Sequence, residues 1–202
     1  YRALSAQPGL PARPEPAAAD QAAAARQIEA LFEFPYLAHA PMEPLNATVQ
    51  LGADAMTVWS GTQMQTLDQF HAAQAAGLKP EQVKIVTMFA GGGFGRRANP
   101  DSDFVVEAVQ VAKKLKQLGV EAPVKVVWSR EDDIRGGYYR PLHVHRVLVG
   151  LDEHGLPVSW RHVVVGQSIA QGTPFEPMMV QNGVDTLSVE GVVDTPYRLP
   201  NF

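Results

Sequence analysis

Four glycines in five positions, Gly91-Gly92-Gly93-Phe94-Gly95, interrupt the chain between a β-branched run and a helical stripe. A backbone without side chains at such a junction can approach a ligand closely and point its N–H groups at it. On one side, Val83 to Phe89 reads as a buried strand. On the other, Phe104, Ala108, Val111, Leu115 and Leu118 recur at helical spacing. Asp101 and Asp103 stand at the start of that helix, Lys113, Lys114 and Lys116 near its end, and Gly119 just beyond, the charge order a helix dipole favours. A strand, a glycine loop and a helix in this order suit an anionic or oxygen-rich ligand, because the helix start adds favourable potential. Phe94 would either plug into the core or press on the ligand.

Three bottom-up readings of the loop compete with a ligand of that kind. A phosphate cradle of Walker type would need a Gly-Lys-Ser or Gly-Lys-Thr, and none follows. A dinucleotide fingerprint is met in loose form by Gly93-x-Gly95-x-x-Ala98, but no acidic residue ends the next strand at the usual spacing of about 20 residues. A tight loop with no ligand at all is the third.

The rest of the chain places this loop in a mixed α/β or α+β domain. Residues 8 to 16 are proline-rich and read as an extended linker, followed by an alanine-rich stretch, Ala17 to Arg26, that is either helical or flexible. Residues 1–27 are thus set apart from a domain at 28–202. From Ile28 the period becomes two: Ile28, Ala30, Phe32 and Phe34 alternate with Gln27, Glu29, Leu31 and Glu33, which predicts a half-buried strand. Met56 to Trp59 is a strand candidate. Met64, Leu67 and Phe70 then predict a helix that stops at Gly77. Val124 to Trp128 is a further strand, and two alternating runs around Asp152-Glu153-His154-Gly155 predict an antiparallel hairpin.

Composition removes several classes. Lys and Arg number 17 against 21 Asp and Glu, and no long basic run occurs, which argues against nucleic acid as partner. With no cysteine the chain can hold no thiolate nucleophile, disulfide or iron–sulfur cluster. No apolar run reaches the roughly 18 residues of a membrane-spanning helix. The chain opens on Tyr1 and closes on Leu199-Pro200-Asn201-Phe202, which reads as an internal piece of a longer protein.

Several segments together are more specific than any one of them. Gly91-Gly92-Gly93-Phe94-Gly95 resembles the loop that meets the molybdenum centre in the xanthine dehydrogenase and aldehyde oxidase family. Tyr36-Leu37-Ala38-His39-Ala40-Pro41-Met42-Glu43-Pro44-Leu45-Asn46 resembles the signature of its isoquinoline 1-oxidoreductase β-subunit branch. Trp59-Ser60-Gly61-Thr62-Gln63 is similar to the family's strand-to-helix step, and Trp128-Ser129-Arg130-Glu131-Asp132-Asp133 to the stretch before its hairpin. The similarity runs in order from about Ile28 to the end.

The resemblance implies an α+β fragment of a molybdopterin-binding subunit, with strand–helix–strand units and an antiparallel hairpin. It implies a molybdenum–pterin cofactor, in the cytosine dinucleotide form of bacterial relatives, and an iron–sulfur electron-transfer subunit as partner. The parent would hydroxylate an N-heteroaromatic compound or an aldehyde with oxygen from water. Gly92, Gly93, Phe94, Gly95 and Arg96 would bind the cofactor, the loop N–H groups donating to its oxo or pterin groups. The family's catalytic glutamate lies near the end of the full subunit, past Phe202, so no catalytic residue is assigned and the fragment alone is expected to turn over nothing. Where xanthine dehydrogenases carry a purine-binding glutamate after the loop, this chain has Ala98, which puts purine substrates in doubt. The alternatives are a non-catalytic scaffold of the same fold or a nucleotide-binding α/β domain. Relatives of this branch are often exported with their cofactor, which makes a periplasmic parent one expectation and a cytoplasmic one the other.

Other residues invite chemistry and have a plainer reading. His143 and His145 share a strand face but lack a third ligand nearby, so no metal site is assigned. Glu43 is tempting as a base, yet between two prolines a strand-end or surface role fits better. His39 reads as a structural histidine, Asn46-Ala47-Thr48 as a chance glycosylation sequon, and Glu131-Asp132-Asp133 as a turn or helix start rather than a cation site.

Overall fold

A single helical turn, α1 (Arg2–Ser5), precedes the first strand, β1 (Arg26–Phe34), in a computed structural model that describes residues 1–13, 24–197, 199 and 202. The alanine-rich stretch lies mostly outside the described residues, and its last member, Arg26, opens β1. After β2 (Leu37–Ala38) come β3 (Asn46–Leu51), β4 (Met56–Ser60), α2 (Gln65–Ala76), β5 (Val83–Thr87), α3 (Asp103–Gln117), β6 (Val124–Val127), α4 (Arg130–Arg135) and β7 (Tyr139–Arg140). The chain closes with β8 (His143–Leu151), β9 (Pro157–Gly166), α5 (Glu176–Met179), β10 (Val180–Gln181) and β11 (Val184–Asp185). These elements form two compact units, one of Ala38–Arg140 and one of Tyr1–Leu37 with Pro141–Phe202. The architecture is α+β, and no helix among the described residues is long and apolar enough to cross a membrane.

The Ala38–Arg140 unit is built on a four-stranded sheet in the order β5-β4-β3-β6. β3 runs antiparallel to β4 and β6, and β4 runs parallel to β5, so α2 is the crossover that a parallel pair requires. Alternation on β3 and β4 turns Ala47, Val49, Met56 and Val58 inward, where they meet Ala72 and Ala73 of α2 and Phe104, Val105, Ala108, Val109 and Ala112 of α3. α2 is rotated from its expected stripe, whereas α3 buries Phe104 and Ala108 as expected. On α2, Phe70 is exposed and the buried residues are Asp68, Ala72 and Ala73; on α3, Val111 and Leu118 face outward. Buried alanines on both helices let them pack closely on the sheet and on each other. Gly77 ends α2 at φ 81°, donating to Ala73 and Gln74 carbonyls as a left-handed cap. β5, read from its β-branched residues as buried, is an edge strand among the described residues, with only Val83 buried.

In the other unit β1, β8 and β9 form an antiparallel sheet in that order, with β8 and β9 joined as the expected hairpin. Asp152 closes the turn by accepting from the N–H groups of His154 and Leu156 at 2.8 Å each, and Gly155 supplies φ 81°. β1 begins two residues before the alternation suggests and is exposed rather than half-buried, since it is an edge strand and only Ala30 is partly covered.

Candidate functional site

The parallel pairing of β4 with β5 delivers the chain to the glycine run: past Thr87, the Met88 N–H still donates to the Ser60 carbonyl at 3.0 Å. The loop is then fixed by groups far away in sequence. Glu43 grips Gly91 from both sides, its N–H donating to the Gly91 carbonyl at 3.1 Å and its Oε2 accepting from the Gly91 N–H at 2.7 Å. Arg97, whose side chain is 1% exposed, donates from Nε to the Gly92 carbonyl at 2.8 Å and from Nη1 to the Gly61 carbonyl at 3.2 Å. Its Nη2 reaches the Glu43 carbonyl at 3.2 Å and Glu43 Oε2 at 3.1 Å. A guanidinium suits this position because its donors fan out in a fixed plane and satisfy several buried acceptors at once. Gln63 completes the frame: its N–H donates to the Arg97 carbonyl, and its Oε1 accepts from the Arg97 N–H, each at 3.2 Å.

Charge follows this geometry. The Gly91 N–H, then Asn46 and Arg97, hold the Glu43 carboxyl below its ordinary range against the opposing effect of partial burial. Burial lowers the Arg97 guanidinium, and Glu43 and Asp133 offset that loss. Glu43 is therefore an ionised clamp at the partly exposed edge of the loop rather than a base poised for proton transfer.

The outer side of the loop is open. Gly92, Phe94 and Gly95 take φ values of 103°, 55° and 95°, and Phe94 is 77% exposed. The N–H groups of Gly92, Gly93, Phe94 and Gly95 donate to no acceptor among the described residues. A Cβ added to Gly95 would meet nothing within 4 Å, so that position faces free space. Exposed Met42 and Phe89 belong to the segments on either side of the Gly91 clamp. Successive unpaired N–H groups on a turn are the kind of donor set that anions and polar oxygens bind.

Arg96 lies behind the loop. Its side chain is buried, bonded to Asp103 at 3.1 and 2.6 Å, and its guanidinium lies 5.5 Å from the Trp128 ring and 5.7 Å from that of Tyr138. Gly137 makes room for it, since a Cβ there would stand 2.3 Å from Nη2. The Tyr138 hydroxyl donates to Asp101, which pushes its pKa up to about 12. Arg96 thus ties the loop to the start of α3, with its charged end directed at protein groups. His39 belongs to the same neighbourhood: burial, then Arg96, keeps it neutral, and its Nδ1 is buried without a partner.

The remaining candidates fall elsewhere. His145 and His162 share a hydrogen bond, Nδ1 to Nε2 at 2.9 Å, with the His143 ring 6.0 Å from that of His145, in the other unit. Among the described residues no group of three or more such ligands is placed to hold a metal ion. Asn46 uses its amide on Glu43 Oε1 at 2.8 Å and the Pro44 carbonyl at 3.0 Å. Asp132 caps α4 with Ser129, and Asp133 pairs with Arg130 at 2.7 Å, so the acidic triplet is a helix start. Sequence reasoning missed the Glu43–Arg97 pair, whose members lie 54 residues apart, and the buried Asp68, bonded to Thr62 and Ser102. The arginine two residues past Gly95 was the one local signal for the first.

Comparison with known proteins gives one family. The model of the molybdopterin cofactor-binding domain matches residues 12–202. The chain is 35% identical over 131 residues to the isoquinoline 1-oxidoreductase subunit beta of Brevundimonas diminuta, an alignment covering 64% of this chain and 16% of that protein. It is 27% identical over 151 residues to the aldehyde oxidoreductase molybdenum-binding subunit of Escherichia coli, covering 75% and 20%. Among solved structures, quinoline 2-oxidoreductase from Pseudomonas putida 86 aligns with a TM-score of 0.59 at 18% identity, over 75% of this chain and 19% of its own. The aldehyde oxidoreductase of Desulfovibrio gigas aligns with a TM-score of 0.59 at 19% identity, over 83% and 18%. The chain therefore spans a fifth or less of these relatives' length.

Proposed function

The chain belongs to the molybdopterin cofactor-binding domain family, and from that premise we propose that its glycine loop is a contact surface for the cofactor. The observation that carries this reading is the run of four unpaired N–H groups, Gly92 to Gly95, on the open side of a loop whose Gly91, Gly92, Gly93 and Gly95 carbonyls are all bonded. Such a donor set fits the oxygen- and nitrogen-rich periphery of a pterin, and the open space at Gly95 leaves room for it. When bound, the molybdenum–pterin group supplies the two-electron oxidation of substrate with oxygen from water. This chain's part is to bind and orient: Gly92, Gly93, Phe94 and Gly95 face the group, and Arg96 fixes the loop from behind through Asp103. Phe94, exposed beside the N–H row, offers an apolar ring to the bound group.

The names of the relatives support an N-heteroaromatic compound or an aldehyde as substrate. Ala98 offers no carboxylate beside the loop, which disfavours a purine. We further propose the cytosine dinucleotide form of the cofactor and an iron–sulfur partner subunit that removes the electrons, since a chain without cysteine holds no such cluster itself. We propose no catalytic base among these 202 residues and expect it elsewhere in the full-length protein. The test is molybdenum and pterin content of the full-length protein co-expressed with its partner. Close to one of each per protein, lost when Gly93 and Phe94 are replaced by bulkier residues, supports the reading. A folded protein, functional in its cell yet free of both, would overturn it in favour of a scaffold.

A further inference from the structure

A trans peptide is planar, with the C=O of one residue and the N–H of the next pointing in opposite directions. Whatever pins a carbonyl therefore aims the following N–H the other way. Three carbonyls of the loop are pinned inward in succession: Gly91 O by the Glu43 N–H at 3.1 Å, Gly92 O by Arg97 Nε at 2.8 Å, and Gly93 O by the Arg96 N–H at 2.9 Å. The N–H groups they aim outward are those of Gly92, Gly93 and Phe94, three of the four unpaired donors. Glycines alone would leave each of these peptides free to flip. Of the three pins only the second is a side chain, and its orientation depends on Glu43 Oε2, which accepts from both Arg97 and the Gly91 N–H.

We propose that Glu43 and Arg97 are a positioning pair that sets cofactor affinity without touching the cofactor, by holding the loop carbonyls inward so that the N–H row faces out. The proposal rests on the reading of the loop as the cofactor contact. Arg97→Lys keeps a charge opposite Glu43, but one ammonium cannot span the Gly92 and Gly61 carbonyls together. Glu43→Gln keeps an acceptor for the Gly91 N–H and removes the charge that orients Arg97. With Glu43 partly exposed, that variant is expected to fold.

The measurement is pterin and molybdenum per protein in the full-length holoenzyme after extensive dialysis, beside melting temperature, for wild type, R97K, E43Q and the core control V109A. Val109 is fully buried in the middle of α3, where it belongs to the hydrophobic core and pins no loop carbonyl, so its truncation is expected to lower melting without acting on the loop directly. R97K and E43Q are expected to weaken cofactor retention roughly 10–100-fold, the range for removing an outer partner of a metal site, and well beyond V109A at an equal drop in melting temperature. Retention in R97K and E43Q that follows the same line against melting temperature as V109A would overturn the positioning role and leave the cofactor reading standing. A wild-type protein that carries no pterin would overturn both.

Discussion

Phe94 sits at φ 55° with most of its side chain in solvent, so its backbone is held where side chains are disfavoured and its ring gains little from burial. The left-handed conformation costs a residue with a Cβ about 1–2 kcal/mol. Glycine escapes that cost but adds roughly 0.5–1 kcal/mol of chain entropy to the unfolded state relative to alanine. Phe94→Gly should therefore be more stable than Phe94→Ala by about 0.5–1 kcal/mol. At an ordinary negative φ the order reverses by a similar amount, so the sign alone is decisive. Urea unfolding followed by tryptophan fluorescence reads it well, because Trp59 and Trp128 both lie in the unit that carries the loop. At a typical slope of 1–3 kcal/mol per molar, the midpoints should differ by about 0.3 M with the slope unchanged. An alanine variant as stable as the glycine variant, or more so, would refute the strained-loop account. Both variants are expected to hold less cofactor, in which case the strain at Phe94 serves the site at the expense of stability.

Phe104→Ala removes the largest apolar side chain buried on α3, and a loss of about 3–5 kcal/mol is expected from the urea midpoint; a loss under about 1 kcal/mol would mean the core is not where it is placed. Gly91→Ala would put a Cβ 2.6 Å from that of Glu43, so the clamp must open; destabilisation of about 1–3 kcal/mol is expected, along with faster exchange of the Gly91 amide. Burial, then repulsion from His162 and His143, depresses His145 to about 4 from its ordinary 6.5. The unfolded chain then binds the extra proton first as pH falls, so stability present above about pH 6.5 is lost progressively down to about pH 4. His145 is partly exposed, so solvent screening limits that loss to about 1 kcal/mol, and His145→Phe should remove it from a comparison of urea midpoints at pH 7 and pH 5.

Strands and helices were legible in the sequence because each is announced by neighbours: β-branched runs at Val83 and Val124, helical spacing up to Gly77 and Gly119, and Asp152 to Gly155 at the hairpin turn. Which face of a helix is buried was less legible. Met64, Leu67 and Phe70 form the apolar stripe of α2, yet Asp68, Ala72 and Ala73 are inside, since close approach to α3 rewards small side chains and Asp68 finds Thr62 and Ser102 as partners. Edge strands misled for a related reason: the β-branched residues of β5 and the alternation of β1 report strand geometry, while burial depends on neighbours that local sequence does not name.

At the loop the same limit separates permission from cause. The glycine run says that the backbone is free to present its N–H groups, which is why Gly92 to Gly95 could be singled out at once. Freedom does not choose a direction. Direction comes from the carbonyls, and those are held by Arg97 and by Glu43, the latter 48 residues before Gly91 in a proline-flanked segment that looked like surface. Arg96 and Arg97 are adjacent and alike in sequence, yet one turns to Asp103 and the other to Gly92, Gly61 and Glu43. The two have different work because the fold brings them different partners: Asp103 opens α3, while Gly61 and Glu43 belong to segments far earlier in the chain. The loop's chemistry is thus written locally, and its geometry is written in the fold.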